Sequence, residues 1–199
     1  GTADWTPVGA TGAMRVADVE VAGPPGRETF SIATDRGIFD FTHDSESATV
    51  AVFRFYNTQT NTHFYTASVA VRDHVIATYP QFVPEGTAFH AVDAARTDIG
   101  TPVWRFFNTS TGTHFYTASA DERAYVIATY PQFVDEGVVY RALPGTEPGT
   151  VKLFRFFNSA TGAHFYTTQD DERAVVNQLL PTYADEGVVF AVYPAVPAP

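Results

Sequence analysis

The chain repeats itself. Val52-Phe53-Arg54-Phe55-Tyr56-Asn57 returns as Val103-Trp104-Arg105-Phe106-Phe107-Asn108 and again as Leu153-Phe154-Arg155-Phe156-Phe157-Asn158. Thr62-His63-Phe64-Tyr65-Thr66 returns as Thr113-His114-Phe115-Tyr116-Thr117 and Ala163-His164-Phe165-Tyr166-Thr167. The pairs Glu85-Gly86, Glu136-Gly137 and Glu186-Gly187 follow, and the successive offsets are 51 and 50 residues. Self-similarity at one period means that one small unit is built three times and that the units share their burial. The copies span about 52–92, 103–143 and 153–193.

Each copy has the same local reading. Phe-Arg-Phe-Tyr alternates as a half-buried strand does, and His-Phe-Tyr-Thr is a second short strand. The turn between them ends on Asn61, Gly112 or Gly162, the residues that best tolerate a left-handed backbone, so a hairpin is expected. Asn57, Asn108 and Asn158 are expected to brace that turn through a side chain-to-backbone bond. Ser119-Ala120-Asp121-Glu122 reads as a capping box, and Pro80, Pro131 and Pro181 close helices of about ten residues. Val75, Ile76 and Tyr79, with Val126, Ile127 and Tyr130, supply their apolar stripe. The Glu-Gly pair opens a third strand.

The third strand is expected to pair with the first strand of the following copy, and Arg36–Phe41 to serve as a degenerate version that completes the first sheet. The last strand, Val188–Tyr193, then closes the array against residues 1–35. The expected fold is therefore α+β and β-rich: three three-stranded antiparallel meanders, each with one short helix, in a pseudo-threefold arrangement. A β-trefoil also has three units of this size but no helix in each, and ranks second. Met14–Val21 alternates like a strand, and Gly23-Pro24-Pro25-Gly26 reads as a loop. Residues 1–36 are expected to be a cap or the end of a preceding domain, 37–193 the repeat domain, and 194–199 a Pro-rich tail.

Composition narrows the function. With 22 acidic and 12 basic residues the net charge is −10, which disfavours nucleic acid and anionic lipid as partners. No cysteine is present, so thiolate metal sites and a Cys nucleophile are excluded. No apolar run is long enough to span a bilayer as a helix. No nucleophile elbow, phosphate loop or dinucleotide fingerprint occurs. Tripling suits multivalent binding better than catalysis. The expectation is a non-enzyme without cofactor or metal.

Candidate functional residues are the polar ones kept in every copy. Arg54, His63 and Tyr65, with Arg105, His114 and Tyr116 and with Arg155, His164 and Tyr166, fall on one face of the strand pair by alternation. That face is either a ligand surface, with rings and fixed polar groups, or the seam between copies. Arg72, Arg123 and Arg173 on the helices are expected to pair with Glu85, Glu136 and Glu186, tying helix to strand.

The combination Arg-Phe-(Phe/Tyr)-Asn, Thr-Gly-x-His-Phe-Tyr-Thr, Glu-Arg and Glu-Gly resembles a repeat family of exported bacterial and fungal proteins, often found beside cell-wall hydrolases or adhesin-like regions. The resemblance covers about residues 37–193. It implies a secreted or cell-surface location and a lectin-like module with up to three sites, with glycan or cell-wall polysaccharide as partner. The alternative is a structural or adhesive module that contacts protein or copies of itself. The first copy departs from the pattern: Val71-Arg72 stands for Glu-Arg and Asn61 for the turn glycine.

Overall fold

The computed structural model describes residues 16–22, 27–34, 37–44 and 49–195. The Gly23–Gly26 loop and the tail beyond residue 195 lie outside the described residues. The chain divides into two compact units, Gly1–Ser47 and Ala48–Pro199.

In the first unit, β1 (Val16–Ala22), β2 (Arg27–Thr34) and β3 (Gly37–Asp44) form an antiparallel sheet in that order. The strand expected near residues 14–21 is β1. Arg36 lies outside the described residues. Residues 37–41, by contrast, do not complete the first repeat's sheet. They belong to β3, which pairs with β2 from Arg27↔Asp44 to Thr34↔Gly37.

The second unit builds the same set of elements three times. The first copy is β4 (Thr49–Asn57), β5 (Thr62–Thr66), α1 (Val69–Thr78) and β6 (Phe82–Val92). The second is β7 (Thr101–Asn108), β8 (Thr113–Thr117), α2 (Ala120–Thr129) and β9 (Phe133–Ala142). The third is β10 (Val151–Asn158), β11 (Ala163–Thr167), α3 (Asp170–Leu179) and β12 (Tyr183–Pro194). The unit is β-rich and antiparallel, and no barrel closes among the described residues.

Strand pairing differs from the expected meander. β6 pairs with β4 of its own copy, as β9 does with β7 and β12 with β10. Within the copies the orders are β5-β4-β6, β8-β7-β9 and β11-β10-β12, with the Phe-Arg-Phe strand in the middle, and short β12–β6 and β6–β9 pairings link them into one nine-stranded sheet. The reason is reach. A ten-residue helix spans about 15 Å and a five-residue strand about 17 Å. Each helix therefore carries the chain back over the hairpin and delivers the Gly-led strand to the free edge of the central strand. The last strand is accordingly not left over. β12 holds β10 along its length and touches β6 through Tyr193↔His90 and Pro194↔Phe89.

Local chemistry follows the sequence closely. Asn61, Gly112 and Gly162 take φ of 55°, 69° and 69°. The Ser68 and Ser119 hydroxyls accept from the Val71 and Glu122 N–H groups, while Gln169 makes no such cap bond. Each helix buries only one side chain, Val75, Val126 or Val176. Ile76, Tyr79, Ile127 and Tyr130, expected in the buried stripe, are exposed.

Apolar burial is organised around the joins between copies. One cluster draws Tyr65, Tyr116 and Tyr166, Phe89, Tyr140 and Phe190, and Val52, Val103 and Leu153 from all three copies. Three smaller clusters sit under the helices, such as Phe55, Phe64 and Val75 under α1. Burying each such side chain is worth about 1.5–3 kcal/mol. A single copy would leave its share of the common cluster in water.

Candidate functional site

The face singled out by alternation, Arg54 with His63 and Tyr65 and their counterparts, is the join between copies. Arg54 stands opposite Tyr65 in the β4–β5 ladder. The Tyr65 backbone groups consequently point away from β4, along an edge with no strand beside it. The hydroxyls of the neighbouring copies satisfy that edge. The Tyr65 hydroxyl donates to the Tyr166 carbonyl at 2.8 Å and accepts from the Tyr166 N–H at 3.1 Å. The Tyr166 hydroxyl does the same for Tyr116, at 2.9 and 2.9 Å, and the Tyr116 hydroxyl for Tyr65, at 2.6 and 3.2 Å. Six bonds thus run in a closed ring. The rings meet edge-to-face at 5.5–5.8 Å, the arrangement that ring quadrupoles favour. At 1–2% exposure, these tyrosines touch no solvent-borne ligand. Burial pushes all three phenols well up from their ordinary value.

Around this ring lie the arginines and histidines. Arg54 Nε meets Glu85 at 2.8 Å, Arg105 Nε meets Glu136 at 2.6 Å, and Arg155 Nε meets Glu186 at 2.6 Å. Each guanidinium also lies over a phenylalanine of an adjacent copy: Arg54 over Phe165, Arg105 over Phe64, Arg155 over Phe115. Each imidazole packs against the same ring, at 4.8 Å in all three joins. Burial, helped by the adjacent guanidinium, lowers the pKa of His63 to about 4 and of His114 and His164 to about 3. The imidazoles are therefore neutral near pH 7. Their 3.5–3.6 Å approach to Glu85, Glu136 and Glu186 is too long for a good hydrogen bond and is a dipolar contact rather than an ion pair. Among the described residues no group of three His, Asp or Glu side chains could hold a metal.

The expected tie between the helix arginines and Glu85, Glu136 and Glu186 is replaced by two different ones. Arg123 and Arg173 pair instead with Asp135 and Asp185, one residue before the Glu, at 2.6 and 2.8 Å. Pro84 holds that place in the first copy, and Arg72 turns to Asp73 at 2.7 Å. All three cover a ring of their own sheet, Phe53, Trp104 or Phe154. The Glu is drawn off because the strand arginine stands beside it in the ladder, at Arg54↔Gly86 and Arg155↔Gly187.

A carboxylate that sequence reasoning placed in a capping box completes two of the joins. Glu122 of α2 reaches Arg155 of the third copy with two bonds of 2.9 Å, and Glu172 of α3 reaches Arg54 of the first copy at 3.1 Å. Burial opposes ionisation of Glu122, but the bonds from Arg155 and Thr117 outweigh it, and its carboxyl sits below the usual range. The visible signal was the Glu of Glu-Arg, present in two copies and replaced by Val71 in the first.

The space left at the join of the first and third copies is small. The notch between the first and third copies, lined by Arg54, Glu85, Thr87 and Gln169 among others, measures about 50 Å³. One water occupies about 30 Å³ in the liquid, and ligand pockets start near ~300 Å³. Exposed rings lie elsewhere, on the outer side of the helices. Tyr125 is 58% and Tyr130 39% exposed, and their rings meet edge-to-face at 5.8 Å. His74 and Tyr79 occupy the same places in the first copy at 5.7 Å. The third copy has Val175 and Leu180 there.

No helix among the described residues is long and apolar enough to cross a membrane. Comparison with known proteins finds one family, described as a domain of unknown function (DUF5648), matching residues 42–193. No curated protein and no solved structure matches the chain.

Proposed function

The chain belongs to the DUF5648 family, and from that premise we propose that it is a non-catalytic, lectin-like binding module of exported proteins, secreted or held at the cell surface, with three copies about a pseudo-threefold axis. Its partner is a glycan or cell-wall polysaccharide. The ligand contacts are the exposed aromatic pairs on the helices, Tyr125 with Tyr130 and His74 with Tyr79. The Arg–His–Tyr face serves to join the copies. Two sites, rather than three, act together and gain avidity from their rigid spacing.

The observation that carries this reading is the pair of tyrosine rings held out in water at Tyr125 and Tyr130. Tyr130 rests one edge on Phe133, but much of the pair stays in water, and an exposed apolar surface calls for a partner. An edge-to-face pair offers a sugar ring a flat apolar wall and a hydroxyl beside it. The resemblance to exported repeat proteins supports the same reading.

Polysaccharide pull-downs and a glycan array test it. The folded protein is expected to bind at least one glycan, and Y125A/Y130A to lose at least tenfold in affinity while remaining folded by circular dichroism at the assay temperature. Binding to no glycan, or undiminished binding by the double variant, overturns the reading.

The second reading is an adhesive module that contacts protein or copies of itself. It is favoured by the exposed aliphatics Ile127, Val134 and Val138 of the second copy and Leu179, Leu180 and Val188 of the third. A mass that rises with concentration in light scattering supports it, and a strict monomer counts against it.

A further inference from the structure

The three joins use the same parts but are not equally filled. Arg155 holds two carboxylates, Glu186 from its own copy and Glu122 from its neighbour. Arg54 likewise holds Glu85 and Glu172. Arg105 holds Glu136 alone among the described residues. The residue that should bring its second carboxylate is Val71, whose side chain packs into the cluster under α1. The Arg105 side chain is 17% exposed, against 16% for Arg54 and 10% for Arg155, so the guanidinium with one carboxylate is no less reachable than those with two.

We propose that the join between the first and second copies is a binding site for an external carboxylate, which takes at Arg105 the place that Glu122 takes at Arg155. The guanidinium is already oriented. Its Nε is fixed by Glu136, and the Phe64 ring lies against it at 5.8 Å. A guanidinium held at Nε presents its remaining N–H groups as a planar fork, a geometry that suits a carboxylate or a phosphate. The bidentate grip of Arg155 on Glu122, at 2.9 and 2.9 Å, is the geometry expected for the bound ligand.

The net charge of −10 selects among these anions and disfavours a doubly charged phosphate. A dense polyanion is repelled by the surface as a whole, while one carboxylate on an otherwise neutral molecule pays little. The ligand class is therefore a singly charged carboxylic acid, either a sugar acid or an acidic amino-acid side chain. This site does not rest on the aromatic pairs, and either can exist without the other.

The test is a titration of the full chain followed by proton–nitrogen NMR, at fixed ionic strength, with D-glucuronate, N-acetyl-L-glutamate α-amide (one free side-chain carboxylate) and neutral N-acetylglucosamine as probes. Saturable shifts at the Arg105 Nε–H and the Ser68 amide with a carboxylate, and none with the neutral sugar, are expected. The tighter of the two carboxylates identifies the source. V71E supplies the missing carboxylate internally and is expected to weaken binding at least tenfold. R105K keeps the charge, loses the fork, and is expected to weaken it at least fivefold. No saturable shift in the native chain, equal shifts with the neutral sugar, or unchanged affinity in a folded V71E or R105K sample overturns the proposal.

Discussion

At the scale of the residue, Tyr116 shows how a side chain can stand in for a strand. Its hydroxyl both donates to and accepts from the backbone of Tyr65, as an adjacent strand would. Y116F keeps the ring and strands two buried backbone groups. At about 1–3 kcal/mol for each group left unsatisfied, the variant is expected to lose roughly 2–6 kcal/mol in urea unfolding. Y56F removes only an exposed bond to Asn61 and is expected to stay within about 0.5 kcal/mol of the native chain. That Arg54, His63 and Tyr65 share a face was legible from alternation, and so was their recurrence. Whether the face is open or sealed was not. The alternation of a strand that meets a ligand is the same as that of a strand that meets a neighbour. Only the position of the second copy decides it. The same limit applies to Glu122: a helix-start glutamate reads as a capping residue until the arginine of another copy comes within reach.

At the scale of the element, the turns and the serine half of the helix caps were read correctly because their causes are local, whereas the Ser119 N–H goes to the Thr117 hydroxyl rather than to Glu122. Asn61, Gly112 and Gly162 lie where the backbone turns left-handed, and Asn57, Asn108 and Asn158 accept from the N–H two residues on at 3.0 Å. The pairing of the third strand was misread because two acceptable partners, the first strand of its own copy and that of the next, have closely similar sequences. Distance chose between them, and the helix set the distance. Two glycines separate backbone strain from crowding. At Gly112 an added Cβ meets nothing within 4 Å, so G112A is expected to cost only the left-handed penalty of about 1–2 kcal/mol. At Gly100 the φ is similar, +72°, but the Cβ would fall 2.5 Å from the Ala142 carbonyl. G100A is expected to cost more, on the order of 3 kcal/mol. Chemical denaturation of the two variants side by side checks the order, and equal losses contradict it.

At the scale of the repeat unit as a whole, the three histidines make stability depend on acid. In the fold they titrate near 3 to 4, and in the unfolded chain near 6.5. Lowered folded values mean that the unfolded chain takes up the protons first. Stability is complete above about pH 6.5 and is lost as pH falls toward 4. Each histidine withdraws roughly 2 kcal/mol between pH 6.5 and 5, so three together approach the whole stability of a typical domain. The melting temperature is expected to be level above pH 7 and to drop steeply below 6.5. A level profile down to pH 4.5 contradicts the neutral, buried placement. One further consequence follows from the hydroxyl-to-backbone circuit that joins Tyr65, Tyr116 and Tyr166. It is a device that counts. Two units leave the circuit broken, and a fourth has nowhere to plug in. Longer chains assembled from this module should therefore lengthen in steps of three.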